Sequence, residues 1–383
     1  MRNFASDNNS GVHPSIMEAI VKANEGHAIA YGGDDWTKKA GDRLKEIFGD
    51  DLEPCLVFNG TGSNMVALQT MLRPFHSIIT AATGHINVDE CGAPAKFTSC
   101  MVKEIPTSDG KLKVDAIRAV LHGWDDQHHS QPKVIYLSQA TELGTVYTPS
   151  ELEAICDLAH AHRMYVHLDG SRLANACAYL DLSMKALSRD CGVDILSLGG
   201  TKNGMMMGEA VLAFRPELSE YLKFYRKQSA QLYSKMRYHS AQFLAYLEND
   251  LWLENARHSN RMAALLAEKI KDLPGILLTQ KVESNALFLC MPQHAIDRML
   301  ETYFFYTWDE SRHEVRLVCS WDTTEDDINA FASLLTSAIQ DVDRTHDEQV
   351  VLEPDDDLRN AITAEDLIKR INEDKRRNFS DCM

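Results

Sequence analysis

Four short segments of this chain carry residue types that do chemistry only when something positions them. The first is Ser197-Leu198-Gly199-Gly200-Thr201-Lys202-Asn203-Gly204, which follows an apolar run. A lysine set among glycines has little to pack against, so reach into a cavity explains it better than burial of its stem. An amine in such a place is suited to form an imine with a carbonyl compound. A surface lysine in a glycine-rich loop is the plainer alternative. The glycine spacing and strand context are not those of a P-loop.

The second segment, Phe58-Asn59-Gly60-Thr61-Gly62-Ser63-Asn64, lies between an apolar strand pattern and a helical one. Small residues at such a turn let backbone N–H groups approach an anion, and the helix N-terminus adds a favourable dipole. An ordinary tight turn uses the same residues, and the third glycine of a dinucleotide fingerprint is absent. The third segment is Val166-His167-Leu168-Asp169-Gly170-Ser171-Arg172. Its polar groups fall where a strand ends, and ligands collect at the carboxyl ends of strands in open α/β sheets. Taken alone, Asp169 could simply cap the next helix, and His167 reads equally well as a core histidine. The fourth is Gly84-His85-Ile86-Asn87-Val88-Asp89-Glu90-Cys91-Gly92. No companion helix supplies metal-ligand spacing, so no metal is expected. A histidine stacked on an aromatic ring, with a nearby acid, agrees with the other three segments.

Positioning these residues requires strands that all end on one side. Apolar runs at Cys55–Phe58, Ser77–Thr80, Lys133–Ser138, Met164–Asp169, Ile195–Leu198 and Ala210–Phe214 alternate with helical patterns. That alternation predicts a mostly parallel α/β sheet covered on both faces. His13-Pro14-Ser15 and Thr148-Pro149-Ser150-Glu151 are helix starts, with proline in the first turn. A long amphipathic helix is expected from Tyr221 to Asp250. Short strands around Leu277–Thr279, Ala286–Met291 and Glu314–Ser320 point to a smaller C-terminal α+β domain. The expected division is 1–245, 246–340 and an acidic, partly helical or disordered tail at 341–383.

Composition narrows the partners. The net charge of −17, from 39 basic and 56 acidic residues, disfavours nucleic acid and anionic membranes. No run approaches the ~18 to 20 apolar residues of a membrane span. The N-terminus lacks the apolar core of a secretory signal, so a cytoplasmic protein is expected. Nine cysteines without any C-x-x-C pair suggest reduced, mostly buried thiols.

Together, the four segments resemble the threonine aldolase family. The resemblance spans roughly residues 4–340 and also draws on Ser6-Asp7-Asn8, His13-Pro14 and Ala30-Tyr31-Gly32. It is nearest to the branch whose lysine segment reads G-G-T-K-N-G. Ser63 and Ser171 stand where many relatives have alanine; both are small, and no change of reaction is expected from either.

What this resemblance implies is a pyridoxal 5′-phosphate (PLP) enzyme of the aspartate-aminotransferase-like fold type I. Lys202 would carry the cofactor, Asp169 would face its pyridinium nitrogen, and His85 would stack on its ring. Gly60, Thr61, Gly62 and Ser63 would hold the phosphate, with Thr201 and Arg172 also in the cofactor site. Arg237 matches an arginine that reaches the phosphate from a neighbouring subunit. Arg316 is the first choice for the substrate carboxylate, with Arg172 and Ser6 as helpers. His85, His128 and Glu90, the last through a water, are candidates for the base that takes the β-hydroxyl proton. The implied reaction splits L-threonine or L-allo-threonine into glycine and acetaldehyde, in a homodimer or homotetramer with shared sites. A β-eliminating lyase or an aminotransferase would use the same lysine and aspartate, and phenylserine is an alternative substrate.

Overall fold

The six apolar runs of the first two thirds become strands of one sheet. The computed structural model describes residues 3–340. In chain order the strands are β1 (Cys55–Val57), β2 (His76–Ala81), β3 (Met101–Ile105), β4 (Gln131–Ser138), β5 (Tyr165–Gly170), β6 (Ile195–Gly199) and β7 (Glu209–Ala213). They lie in the order β1-β7-β6-β5-β4-β2-β3. Strands β2 to β6 pair in parallel, and β7 runs antiparallel to both β6 and β1. Parallel strands need crossovers, and the intervening helices supply them on both faces. The expected α/β class is the one observed. β3 went unrecognised in the sequence because it is an edge strand whose residues, such as the exposed Met101, form no continuous apolar run.

The second sheet is antiparallel: β8 (Leu277–Leu278), β9 (Ala286–Cys290), β10 (Tyr306–Asp309) and β11 (Glu314–Val318), in the order β10-β11-β9-β8. Its own core includes Met262, Leu266, Leu287, Leu289 and Phe331. The chain passes between the sheets through helices Arg237–Leu247 and Leu251–Ile270, so a division at 245–246 falls inside the first of them. The expected tail at 341–383 lies outside the described residues.

An N-terminal arm ties the two sheets together. Phe4 donates its N–H to Phe304 O and accepts from Val318 N–H, while its ring packs edge-on to Phe331. This fixes Asp7, three residues on, over the end of β5.

The expected helix from Tyr221 to Asp250 is not continuous. Helix Leu222–Gln228 stops, Ala230 takes φ 58°, and a new helix starts at Arg237. The hydrogen bonds of the intervening segment explain the break. Gln231 Oε1 accepts the Phe58 N–H at 2.9 Å, and Ser234 O accepts the Tyr31 N–H at 2.9 Å. A straight helix would satisfy its own backbone and leave those groups unpaired. Helix Pro149–Ala161 begins as expected, with Thr148 and Glu151 forming a reciprocal capping box. Among the described residues, no helix is long and apolar enough to cross a membrane.

Candidate active site

Because β1, β2, β4, β5 and β6 point the same way, the loops that leave them gather at one edge of the sheet. Each loop delivers a polar group there: the Gly60 turn, His85, Glu142, Asp169 and Lys202. β7 runs back from the same edge and opens with Glu209.

Asp169 is the centre. Its side chain is buried, yet four donors converge on it: Tyr136 Oη at 2.6 Å and Asn64 Nδ2 at 2.9 Å on Oδ2, then Ser171 N at 2.9 Å and Ser171 Oγ at 2.7 Å on Oδ1. Burial alone would raise its pKa. The positive charges of His85 and Lys202, with the hydrogen bonds from Tyr136 and Asn64, instead hold the carboxyl well below the usual range. A buried carboxylate is thereby kept ionised.

The other amide proton of Asn64 goes to Glu90 Oε1 at 2.9 Å, and His85 Nδ1 meets the same oxygen at 2.9 Å. Asn64 therefore links the Asp169 anion to the acid behind His85. Burial pushes the His85 ring towards neutrality, but Glu90 and Asp169 win and raise its pKa. The backbone N–H of His85 is held by Glu142 Oε1 at 2.8 Å. Among the described residues, His85 Nε2 has no protein partner, so it is the nitrogen available to substrate. Glu90 has no exposed side-chain surface.

Lys202 sits half-buried in the short turn Thr201–Asn203, and its amine makes no hydrogen bond among the described residues. Desolvation and the nearby Arg172 charge lower its pKa, against the pull of Asp7, Asp169 and Glu209. A lowered pKa leaves more of it as the nucleophilic amine.

At the Gly60 turn, Asn59 caps helix Gly60–Met71 by accepting Gly62 N–H at 2.8 Å, and its carbonyl accepts Ser63 N–H. The N–H groups of Gly60 and Thr61 have no acceptor among the described residues, so the helix end is free to bind an anion. Gly62 has no room for a side chain, since a Cβ there would lie 2.1 Å from Gln231.

Two arginines complete the edge. Arg172 is gripped by Asp7 through both Nε (2.8 Å) and Nη2 (2.9 Å), and Asn285 also donates to Asp7 at 3.0 Å. Its fork is already engaged. Among the described residues, Arg316, half-buried on β11, donates only to Ala5 O at 3.2 Å, and its buried Nε has no partner. The rings of Tyr306 and Trp308 flank it. Of the two, Arg316 has the fork free for a carboxylate.

Three expected residues stand apart from this cluster within one chain. His128 is exposed in the turn before β4. It therefore lies at the opposite edge of the sheet, about 25 Å from the end of that strand. Arg237 is occupied with the carbonyls of Glu25 and Gly26. Ser6 caps a short N-terminal turn next to Asp7 and reaches the cluster only through it. His167 is a core histidine, bonded to Ser197 Oγ at 3.0 Å and pushed down to about 4 by burial.

Sequence reasoning gave no role to Asn64, Tyr136, Glu142, Glu209 or Gln231. Asn64 was visible in the G-T-G-S-N turn. Tyr136 lay hidden inside an apolar strand, and nothing in the linear pattern marked Glu142, Glu209 or Gln231.

Residues 3–292 match the family model described as beta-eliminating lyase. The chain is 43% identical over 84% of its length to a low specificity L-threonine aldolase of Pseudomonas aeruginosa, covering 93% of that protein. It is 41% identical to the enzyme of that name from a Pseudomonas species, over 87% of this chain and 96% of the relative. The chain belongs to the threonine aldolases of the beta-eliminating lyase family. A solved structure of Leishmania major threonine aldolase superposes with a TM-score of 0.83 at 32% identity, over 88% of this chain and 99% of that one. Aspartate aminotransferase from Thermus thermophilus shares the fold, with a TM-score of 0.66 at 15% identity over 88% of this chain and 92% of that one. The expected fold type I is thus the fold observed.

In this family setting, the His85–Glu90 pair yields a direct prediction. Glu90 raises the pKa of His85 through its hydrogen bond and, less, its charge, and if His85 serves as the base, the active form is the neutral ring. Replacing Glu90 by Gln removes the carboxylate from that bond, lowers the pKa and moves the acid limb of kcat/KM to lower pH. A pH–rate profile checks this; an unmoved limb would mean that His85 is not the titrating base.

Proposed function

We propose that this chain is a PLP-dependent aldehyde-lyase that cleaves the Cα–Cβ bond of L-threonine and L-allo-threonine, giving glycine and acetaldehyde. The observation that carries this reading is the meeting, at one sheet edge, of a half-buried lysine and an ionised buried carboxylate with an open helix N-terminus and a free arginine fork. The residues fit PLP. The N–H groups of Gly60 and Thr61, without an acceptor among the described residues, suit its phosphate, with Gly62 and Ser63 in the same turn. Asp169 suits the ring nitrogen, His85 a ring face and Lys202 the aldehyde carbon. When bound, PLP supplies an electron sink for the charge left at Cα.

The chain's own residues do the rest. Arg316 grips the substrate carboxylate and so sets which Cα bond lies across the plane of the sink. Arg172, locked to Asp7, lends positive charge beside it without offering its full fork. His85, with Nδ1 held by Glu90, accepts the β-hydroxyl proton at Nε2 as the aldehyde leaves. A base placed in this way contributes ~10² to 10⁴-fold. Glu90 serves behind His85 and need not touch substrate.

A β-eliminating lyase is the second reading, favoured by the description of the matching family model. It would need a base at Cα and would release ammonia and a keto acid. The purified protein given L-threonine is expected to release glycine and acetaldehyde in equal amounts. Lys202→Ala should lose the absorbance of bound PLP near the visible edge and cut turnover by a factor on the order of 10³ or more. Ammonia with a keto acid as product would move the chemistry to β-elimination. Absence of PLP absorbance after reconstitution would remove the cofactor from the account.

The homo-oligomer has support of its own. Val21, Ile29 and Tyr31 are 66%, 75% and 55% exposed, and they flank the carbonyls to which Arg237 is bonded. Large apolar side chains clustered at the surface mark an interface. A second copy placed there would bring its Arg237 region against this one. Sedimentation should therefore find a dimer or tetramer, and a fully active monomer would contradict it.

A further inference from the structure

Glu209 opens β7, only 5% exposed, and among the described residues it forms no ion pair. Its Oε1 accepts from Thr201 Oγ1 at 3.0 Å, and that hydroxyl in turn accepts the Gly208 N–H at 3.1 Å. A Cβ on Gly199 would lie 2.7 Å from Glu209 Oε2 and 2.8 Å from Ser171 Cα. The carboxyl is therefore wedged between the end of β6 and the Asp169–Ser171 turn. It lies against the turn that carries Lys202, and glycine at 199 makes the room. A buried acid in an enzyme interior costs stability unless something compensates, and here the hydroxyl and backbone N–H of Thr201 do so directly.

The charged and titratable groups around it belong to the active site. Lys202 and Asp169 act on Glu209 by charge, and Tyr246, from helix Arg237–Leu247, feels it in turn. Arg172, Asp7 and His85 act on Lys202 and Asp169. Burial pushes Glu209 up to about 8, against its bond from Thr201 and the charge of Lys202. The carboxyl and the amine thus exchange stabilisation: charging one favours charging the other.

We propose that Glu209 is a positioning residue for Lys202, anchoring its turn through Thr201 and setting, by its charge, how readily the Lys202 ammonium becomes a free amine. The proton step balances simply. An N–H bond of the ammonium breaks as an O–H bond forms on a carboxylate or on water, and no oxidant or reductant is involved. This role rests on Lys202 being the residue that takes up PLP.

The test is the pH dependence of PLP uptake by the full chain, stripped of cofactor and mixed with it again, followed by absorbance. Glu209→Gln keeps an acceptor for Thr201 but cannot ionise, so the comparison is read above about pH 8, where the wild-type carboxyl carries its charge. The Lys202 ammonium is then less stable, so the rise of uptake rate with pH should shift down, by about one unit. Glu209→Asp retains the charge and should keep the wild-type profile. Thr201→Val leaves the charge and removes the anchor, so uptake should slow at every pH without a shift. A Glu209→Gln profile that coincides with wild type, or that falls equally at all pH, overturns the charge role. Wild-type uptake rates in Thr201→Val overturn the anchoring role, and this arm stands even if Glu209→Gln fails to fold. No uptake by the wild-type chain would overturn the PLP reading itself, a result distinct from either of these.

Discussion

A buried carboxylate is the constraint around which this structure is arranged. Asp169 is buried, and an uncompensated ion in such a place costs several kcal/mol. The fold compensates it with two hydrogen bonds from its own turn, through Ser171, and two from other elements, through Tyr136 and Asn64. In their protonated forms Lys202 and His85 add favourable charge. Removing any of these supports would favour the protonated acid, and a neutral acid could no longer balance a protonated ring nitrogen.

That requirement explains the architecture better than the presence of single catalytic groups does. Tyr136 must sit on the strand next to Asp169, and the parallel pairing of β4 with β5 puts it there. Asn64 must reach the same oxygen from the helix that follows β1, which brings the anion-binding turn close to the carboxylate. Through its second proton, Asn64 also orders Glu90 and hence His85. In the proposed mechanism, one amide would couple the residue that keeps the sink charged to the residue that moves the substrate proton. The N-terminal arm adds the remaining element: Asp7 occupies Arg172 and leaves Arg316 as the arginine with a free fork.

Much of this was legible in the sequence, for physical reasons. Strands buried on both faces read as continuous apolar runs, so the central strands and their direction were visible. Glycines around Lys202 and Gly60 marked places where backbone or amine must approach something. The edge strand β3 was not visible, because edge residues need not be apolar. The break near Ala230 was hidden as well, since it depends on Gln231 and Ser234 satisfying distant backbone groups rather than on local helix propensity. Glu142 and Glu209 were silent because a lone acid in a sequence looks like surface, and only burial reveals otherwise. His128 looked suitable by type, yet the parallel run of β4 carries it to the far edge of the same chain's sheet.

The most direct test of the central claim is the turnover of L-threonine by wild type and by Asp169→Asn, both loaded with PLP and matched for folded content. If the ionised carboxylate sustains the electron sink, the amide, which cannot carry the charge, should lower kcat on the order of 10²-fold or more while cofactor and fold are retained. Equal turnover in the two proteins would contradict the account, because the buried anion would then serve the fold and not the reaction.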